Sequence, residues 1–180
     1  PQWSWHPVRL IGRFIGRLER RLNAGNINKN FSGTMLLVLV VAVTVFSVLG
    51  ILKLAMLIHP ALYFVLSVIL IYFSLSIKSL AVEADKVYNA LKNKDIREAR
   101  NNLSMIVGRD TDKLEEPEII RATVETVAES ATDGIVAPLF FAFLGGPVLA
   151  WAYKAINTLD SMVGHRNERF IEFGRASAKL

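Results

Sequence analysis

From Thr34 to Leu52 nineteen consecutive residues carry no charge, and after Lys53 a second uncharged stretch runs from Leu54 to Ile77. Nineteen helical residues at about 1.5 Å each cover roughly 28 Å, which is close to the hydrocarbon thickness of a bilayer. A helix satisfies its own backbone polar groups at that depth, where an isolated strand or loop cannot. This feature points to an all-α, polytopic integral membrane protein, and a composition 52% hydrophobic over 180 residues agrees with it. The net charge of +5 does not call for nucleic acid as a partner: five arginines and a lysine fall within the first 29 residues, beside a hydrophobic span. The anionic surface of a lipid bilayer explains that placement. Six Lys or Arg precede the first span, one lies between the spans and nine follow before Gly134, so the positive-inside rule puts both flanks in the cytoplasm. Cysteine is absent, which excludes disulfides, thiolate metal sites and a cysteine nucleophile.

The rest of the chain divides around those spans into parts of a single membrane-embedded domain. Residues 1–29 form a basic amphipathic helix, with Ile11, Phe14, Ile15, Leu18 and Leu22 at helical spacing and Arg9, Arg13, Arg17, Arg20 and Arg21 mostly on other faces. Residues 34–77 hold two transmembrane helices, with His59 and Pro60 as turn residues. Residues 78–134 are a cytoplasmic helical section. Leu80, Ala84, Val87 and Leu91 mark its first helix; Asp95 and Glu98 open a second that runs to about Val107, with Gly108 as C-cap. Pro117 starts a third, with Ile120, Val124, Val127 and Ala131 facing inward and Gly134 ending it. Residues 135–152 are apolar but interrupted by Pro138 and by Gly145, Gly146 and Pro147, as in a re-entrant or transmembrane segment, and 153–180 form a polar helical tail. The sequence has no initiator Met and ends on ASAKL without a helix-stop signal, so both ends are expected to be cut.

Polar clusters bracket the interrupted segment. Glu125, Glu129 and Asp133 fall four apart, which stacks three carboxylates on one helix face. Without a basic partner each such pair costs a few tenths of a kcal/mol, roughly, and a divalent metal relieves it. Lys154, Asn157 and Asp160 repeat the logic at a spacing of three: a cation, an amide and a carboxylate suited to a metal phosphate. A straight span would put the two clusters on opposite sides of the bilayer, so a site using both requires the segment to turn back, as Gly-Gly-Pro permits. Arg9 follows His6 and Pro7, where a first helical turn can aim it at an anion, and Arg109, Asp110 and Thr111 offer an anion contact, a metal ligand and a hydroxyl. The plainer alternative is a solvated helix face followed by a snorkelling lysine. P-loop, G-x-G-x-x-G, H-E-x-x-H and G-x-S-x-G signatures are all absent.

Six blocks carry a resemblance: HPVRLIGR (6–13), IVGRDT (106–111), ETVAES (125–130), DGIVAPLFFAFLGG (133–146), YKAINTLDSMVG (153–164) and FGRASAKL (173–180). In this order the chain resembles the CobD/CbiB family of adenosylcobinamide-phosphate synthases, membrane proteins of cobalamin biosynthesis. It lacks the aspartate and Gly-Asp-Pro segment that typically precede the first block and the acidic residues that follow the last. It therefore looks like an incomplete portion, roughly the N-terminal three-fifths. Ser130 stands where many relatives carry asparagine.

The resemblance implies an ATP-dependent amide ligase in a bacterial or archaeal cytoplasmic membrane, multi-pass, with its polar site facing the cytoplasm. It would join the corrinoid adenosylcobyric acid to (R)-1-aminopropan-2-ol or its O-phosphate. ATP and Mg²⁺ are the implied cofactors. Glu129, Asp160 and Lys154 are the first catalytic candidates, with Glu125 and Asp133; Glu125, Glu129 and Asp160 are the metal candidates; Arg9, Arg109, Asp110, Thr111, Asn157 and Thr158 would contact or orient the cofactor. Two other readings stand beside it: an AmpE-like membrane signalling protein, and a Mg²⁺-dependent transferase acting on a phosphorylated headgroup.

Overall fold

The computed structural model describes residues 6–24, 28–108, 110–165 and 170–179, with backbone alone at 78 and 79. Among the described residues there is no strand. The helices are α1 (Pro7–Asn23), α2 (Lys29–Ile58), α3 (Pro60–Ser74), α4 (Ile77–Lys92), α5 (Ile96–Ser104), α6 (Glu116–Ala131) and α7 (Ala137–Val163), with a π turn at Thr132–Val136 and a 3₁₀ turn at Ser177–Lys179. They form two compact units, one of residues 1–75 with 137–180 and the other of 76–136.

The first unit is built on α2, whose 30 residues reach about 45 Å and outrun the hydrocarbon core of a bilayer. The helix passes through Lys53 instead of stopping there, because one exposed lysine can snorkel without breaking an apolar helix. The break falls at His59, which is extended (φ −165°, ψ 138°) because Pro60 excludes the helical conformation at the residue before it. His59 also caps α3, its Nδ1 accepting from the Ala61 N–H at 3.1 Å. One residue therefore separates α2 from α3. Leu52 with Leu66, and Val48 with Leu70, lie at equal distances from His59 along the chain, and all four share one apolar cluster, as in an antiparallel hairpin. The side chains of α2 and α3 that face away from the unit, among them Phe46, Leu57, Phe64 and Tyr72, are exposed and apolar. A soluble surface rarely carries so continuous an apolar patch.

α1 packs its apolar stripe on this pair. Ile15 is fully buried with Leu36 and Val40 of α2, with Ala155, Leu159 and Val163 of α7 and with Phe173, while Ile11, Phe14, Leu18 and Leu22 close around them. Its five arginines are exposed, so the amphipathic pattern divides the helix as its sequence predicts.

By length and hydropathy the helical run Glu116–Val163 also passes as a membrane span, but non-helical backbone at Gly145 (φ −153°, ψ 29°) and Gly146 (φ 63°, ψ −156°) interrupts it inside α7. The chain turns back there. The Phe141 and Tyr153 rings stack with centroids 5.0 Å apart, whereas twelve residues of unbroken helix would separate them by about 18 Å. α7 is thus a helical hairpin whose two arms meet at Gly-Gly-Pro, with Pro147 opening the second arm. Trp151 on that arm is buried, and its indole N–H donates to the Leu70 carbonyl at 2.9 Å, which ties the hairpin to α3.

The second unit packs Val87 and Ala90 of α4, Ala99 and Leu103 of α5 and Ile119 and Ala122 of α6 into a core of its own. Asp95 caps α5 by accepting from the Glu98 N–H at 2.9 Å. That helix ends at Ser104, so Gly108 lies beyond its end and is not its cap. The inward face of α6 is set by Ile119 and Ala122; Ile120 and Val124 are exposed at 46% and 62%. The 3.6-residue period was right and its phase was one residue off. Gly134 does not end the helix either. It lies in the π turn, where its carbonyl accepts from the Ser76 N–H at 2.9 Å.

Candidate functional site

The two units carry the candidate residues separately. On the second arm of α7, Lys154 is buried at 4% exposure in a mostly apolar helix whose other charged residue, Asp160, is exposed. A buried ammonium there demands compensation, and ionisable groups within membrane helices are characteristically functional. His6 lies in the same unit. It caps α1, with Nδ1 accepting from the Val8 N–H at 3.4 Å, and its ring meets Phe73 of α3 edge-on at 5.4 Å. That hydrogen bond leaves Nε2 as the N–H donor of the neutral ring. Burial lowers the His6 pKa below its ordinary 6.5, and the positive charge of Lys154 lowers it further. His6 received no role of its own in the sequence reading, where only its position before Arg9 was used.

One turn beyond Lys154, the Thr158 hydroxyl donates to the Lys154 carbonyl at 2.7 Å, which fastens it to its own helix. Asn157 is half-buried and Asp160 exposed. The Asp160 carboxylate rests against Gly164, where any Cβ would collide with it, and the Gly164 N–H donates to the Asp160 carbonyl at 2.8 Å. Arg9 is exposed on the first turn of α1. A cavity of about 540 Å³ opens beside Gly164, with His165, Glu172, Arg175 and Lys179 on its walls. Sequence reasoning gave these residues no role, although the four-residue spacing of Arg175 and Lys179 in FGRASAKL was a usable signal.

In the second unit, Glu125 and Glu129 are exposed on α6 and Asp133 is half-buried in the π turn. Glu125 has a basic partner, since the Arg121 Nε donates to its Oε1 at 3.0 Å. The like-charge argument for a metal is weaker at that position as a result, although an exposed pair contributes little on its own. Asp110 is exposed, its Oδ1 accepting from the Asp112 N–H at 3.0 Å. Thr111 is buried, and its hydroxyl donates to the Arg100 carbonyl at 3.1 Å, pinning the loop to α5. Arg109 lies outside the described residues. Among the described residues no three Asp, Glu or His side chains gather as a metal cage.

Fold and residues together define an all-α membrane protein with a buried cation in a helical hairpin and acidic side chains held singly. The profile of the family described as CobD/Cbib protein matches residues 1–180. The chain belongs to the CobD/CbiB family. It is 48% identical over 179 residues to the cobalamin biosynthesis protein CobD of Geobacter metallireducens, covering 99% of this chain and 56% of that protein. To the CobD of Clostridium perfringens it is 48% identical, covering 100% of this chain and 58% of the relative. To the cobalamin biosynthesis protein CbiB of Salmonella typhi the figures are 48%, 100% and 57%. The chain thus spans less than two thirds of the length of these relatives. No solved structure matches it.

Proposed function

We propose that this chain carries part of an ATP-dependent amide ligase of cobalamin biosynthesis, which joins adenosylcobyric acid to (R)-1-aminopropan-2-ol or its O-phosphate to give adenosylcobinamide or its phosphate. The relatives' names supply the pathway, and the observation that carries the reading is Lys154, a lysine buried in a membrane-type hairpin.

A carboxylate is a poor electrophile. With ATP as co-substrate it becomes an acyl phosphate, and the amine then adds to its carbonyl, expels phosphate and gives up a proton. Lys154 supports this chemistry as a fixed cation in a dry setting, where its attraction for phosphate oxygens exceeds that of a solvated lysine. The His6 Nε2–H adds a neutral donor from the start of α1. Asn157 would orient the phosphates, with Arg9 and Arg109 as further cations. Asp160 in the first unit, and Glu125 and Glu129 in the second, are each a candidate ligand for Mg²⁺, which when bound would neutralise phosphate charge; Asp133 is a further candidate to receive the amine. The corrinoid is bulky and amphipathic, which suits a site at a cytoplasmic membrane surface, and the basic face of α1 favours the anionic leaflet.

The test uses the full-length parent in membranes, given adenosylcobyric acid, the amine or its phosphate, ATP and Mg²⁺, with the corrinoid followed by mass. An ATP-dependent mass gain of one amide bond is expected. Asp160→Asn and Glu129→Gln should each lower turnover at limiting Mg²⁺. No gain with either amine would reject the ligase in favour of the headgroup transferase or the signalling protein.

A further inference from the structure

We propose that the cavity beside Asp160 is a subsite for a phosphate ester, with Arg175 and Lys179 as its cationic wall. The choice of ligands to test rests on the ligase reading; the site itself does not. At about 540 Å³ the cavity falls within the roughly 300–1,000 Å³ usual for small-molecule sites. Its composition is directional. Arg175 and Lys179 both line it, and the Ala178 N–H bonded to the Gly174 carbonyl at 3.0 Å closes the helical turn on which they stand four apart. Asn30, from the first turn of α2, and His165 add polar groups, and among the described residues Glu172 is its one carboxylate. Among the described residues two permanent cations against one carboxylate favour an anion, and the guanidinium fork matches phosphate oxygens in pairs.

Two further observations join this cavity to chemistry. Gly164 belongs to its wall, and the Asp160 carboxylate lies directly against that glycine. A carboxylate able to take a divalent cation therefore sits at the rim of a pocket able to take a phosphate, the pairing that Mg²⁺-phosphate recognition uses. Ser177, between the two cations in sequence, is 2% exposed, and its hydroxyl has no hydrogen-bond partner among the described residues. An unsatisfied buried hydroxyl is uncommon, and this one lies next in sequence to the wall residue Ala178 without lining the cavity itself.

The phosphate could come from ATP or from the phosphorylated amine. Glu172 separates the two, since a carboxylate in the same cavity would pair with the ammonium of an amino-alcohol phosphate and would do nothing for a nucleotide. The experiment is equilibrium binding to the full-length parent in lipid nanodiscs, using ATP, aminopropanol phosphate and inorganic phosphate as probes. Arg175→Ala and Lys179→Ala should each weaken binding of a phosphate ester by roughly tenfold, as expected for loss of one charge-assisted contact. Arg175→Lys and Lys179→Arg, with unchanged thermal midpoints, should retain most of the affinity, which guards against simple misfolding. Glu172→Gln weakening aminopropanol phosphate alone identifies the amine as the source; weakening of ATP alone by the two alanine variants identifies the nucleotide. Unchanged binding of all three probes in both alanine variants overturns the proposal. Weakened phosphate binding in a parent that forms no amide would keep the subsite and reject the ligase. Amide formation with binding unaffected by the alanine variants would do the reverse.

Discussion

Gly146 offers a test of the α7 hairpin that is free of steric complications. Its backbone (φ 63°, ψ −156°) lies in a region essentially reserved for glycine, yet a Cβ added there meets nothing within 4 Å. The cost of Gly146→Ala is therefore conformational alone, about 1–3 kcal/mol. Gly50 is the control, because it too has nothing within 4 Å but lies inside α2. There the same substitution removes a helix penalty and should stabilise by about 1 kcal/mol. At roughly 2–4 °C per kcal/mol for a chain of this size, thermal midpoints in detergent should separate the two variants by about 4 to 16 °C, with opposite signs relative to the parent. A second readout uses the absence of native cysteine. Phe141→Cys with Tyr153→Cys, placed where the rings now stack at 5.0 Å, should cross-link with a short bifunctional reagent. Gly146→Ala should lower that yield. Equal midpoints for the two alanine variants, or no cross-link in the otherwise native protein, would refute the turn at Gly145–Gly146.

On the proposed ligase reading, Lys154→Ala should reduce turnover of the full-length parent by about 10²–10³, the range seen when one preorganised charge-stabilising donor is removed, whereas Lys154→Arg should keep part of the rate. Loss of fold without substrate-dependent loss of rate would make the lysine structural. For His6 the folded pKa lies below 6.5, so the neutral ring is the form that folding favours. Its contribution to stability is complete above pH 6.5 and is lost as the pH falls from there through the lowered folded value. The difference between parent and His6→Gln in unfolding midpoint should thus shrink between pH 7 and pH 5; a constant difference would assign the pH dependence elsewhere.

The elements that the sequence exposed most clearly were those with a strong period or a long uncharged run. The α1 stripe through Ile15, the Asp95 cap and the Pro117 start are decided by local chemistry, and local chemistry is what a sequence displays. Boundaries between apolar helices were less legible. Lys53 divides the uncharged runs without ending a helix, because a proline's steric effect on the residue before it outweighs one snorkelling lysine, and the corner falls at the turn residues His59 and Pro60 that the sequence names. The phase error on α6 has a similar origin: Ile120 and Val124 are as apolar as Ile119, and only packing on α4 and α5 selects between them. In the candidate site, Lys154 stood out as the first charge after an apolar run, but its burial follows from the α7 hairpin folding beside α1 and α3. Of the cavity near Asp160 only the four-residue spacing of Arg175 and Lys179 was legible, because its walls come from the start of α2, from Gly164 and His165 and from residues between 170 and 179, brought together by the tertiary fold.

The one-residue corner at His59 has a consequence for biogenesis. Two apolar helices joined this tightly cannot be delivered to a bilayer one after the other with a pause between them; where they insert, they enter as a pair joined by a corner with no loop. Proteases, antibodies and epitope insertions aimed at that corner would find a single extended residue, His59, between the two helices.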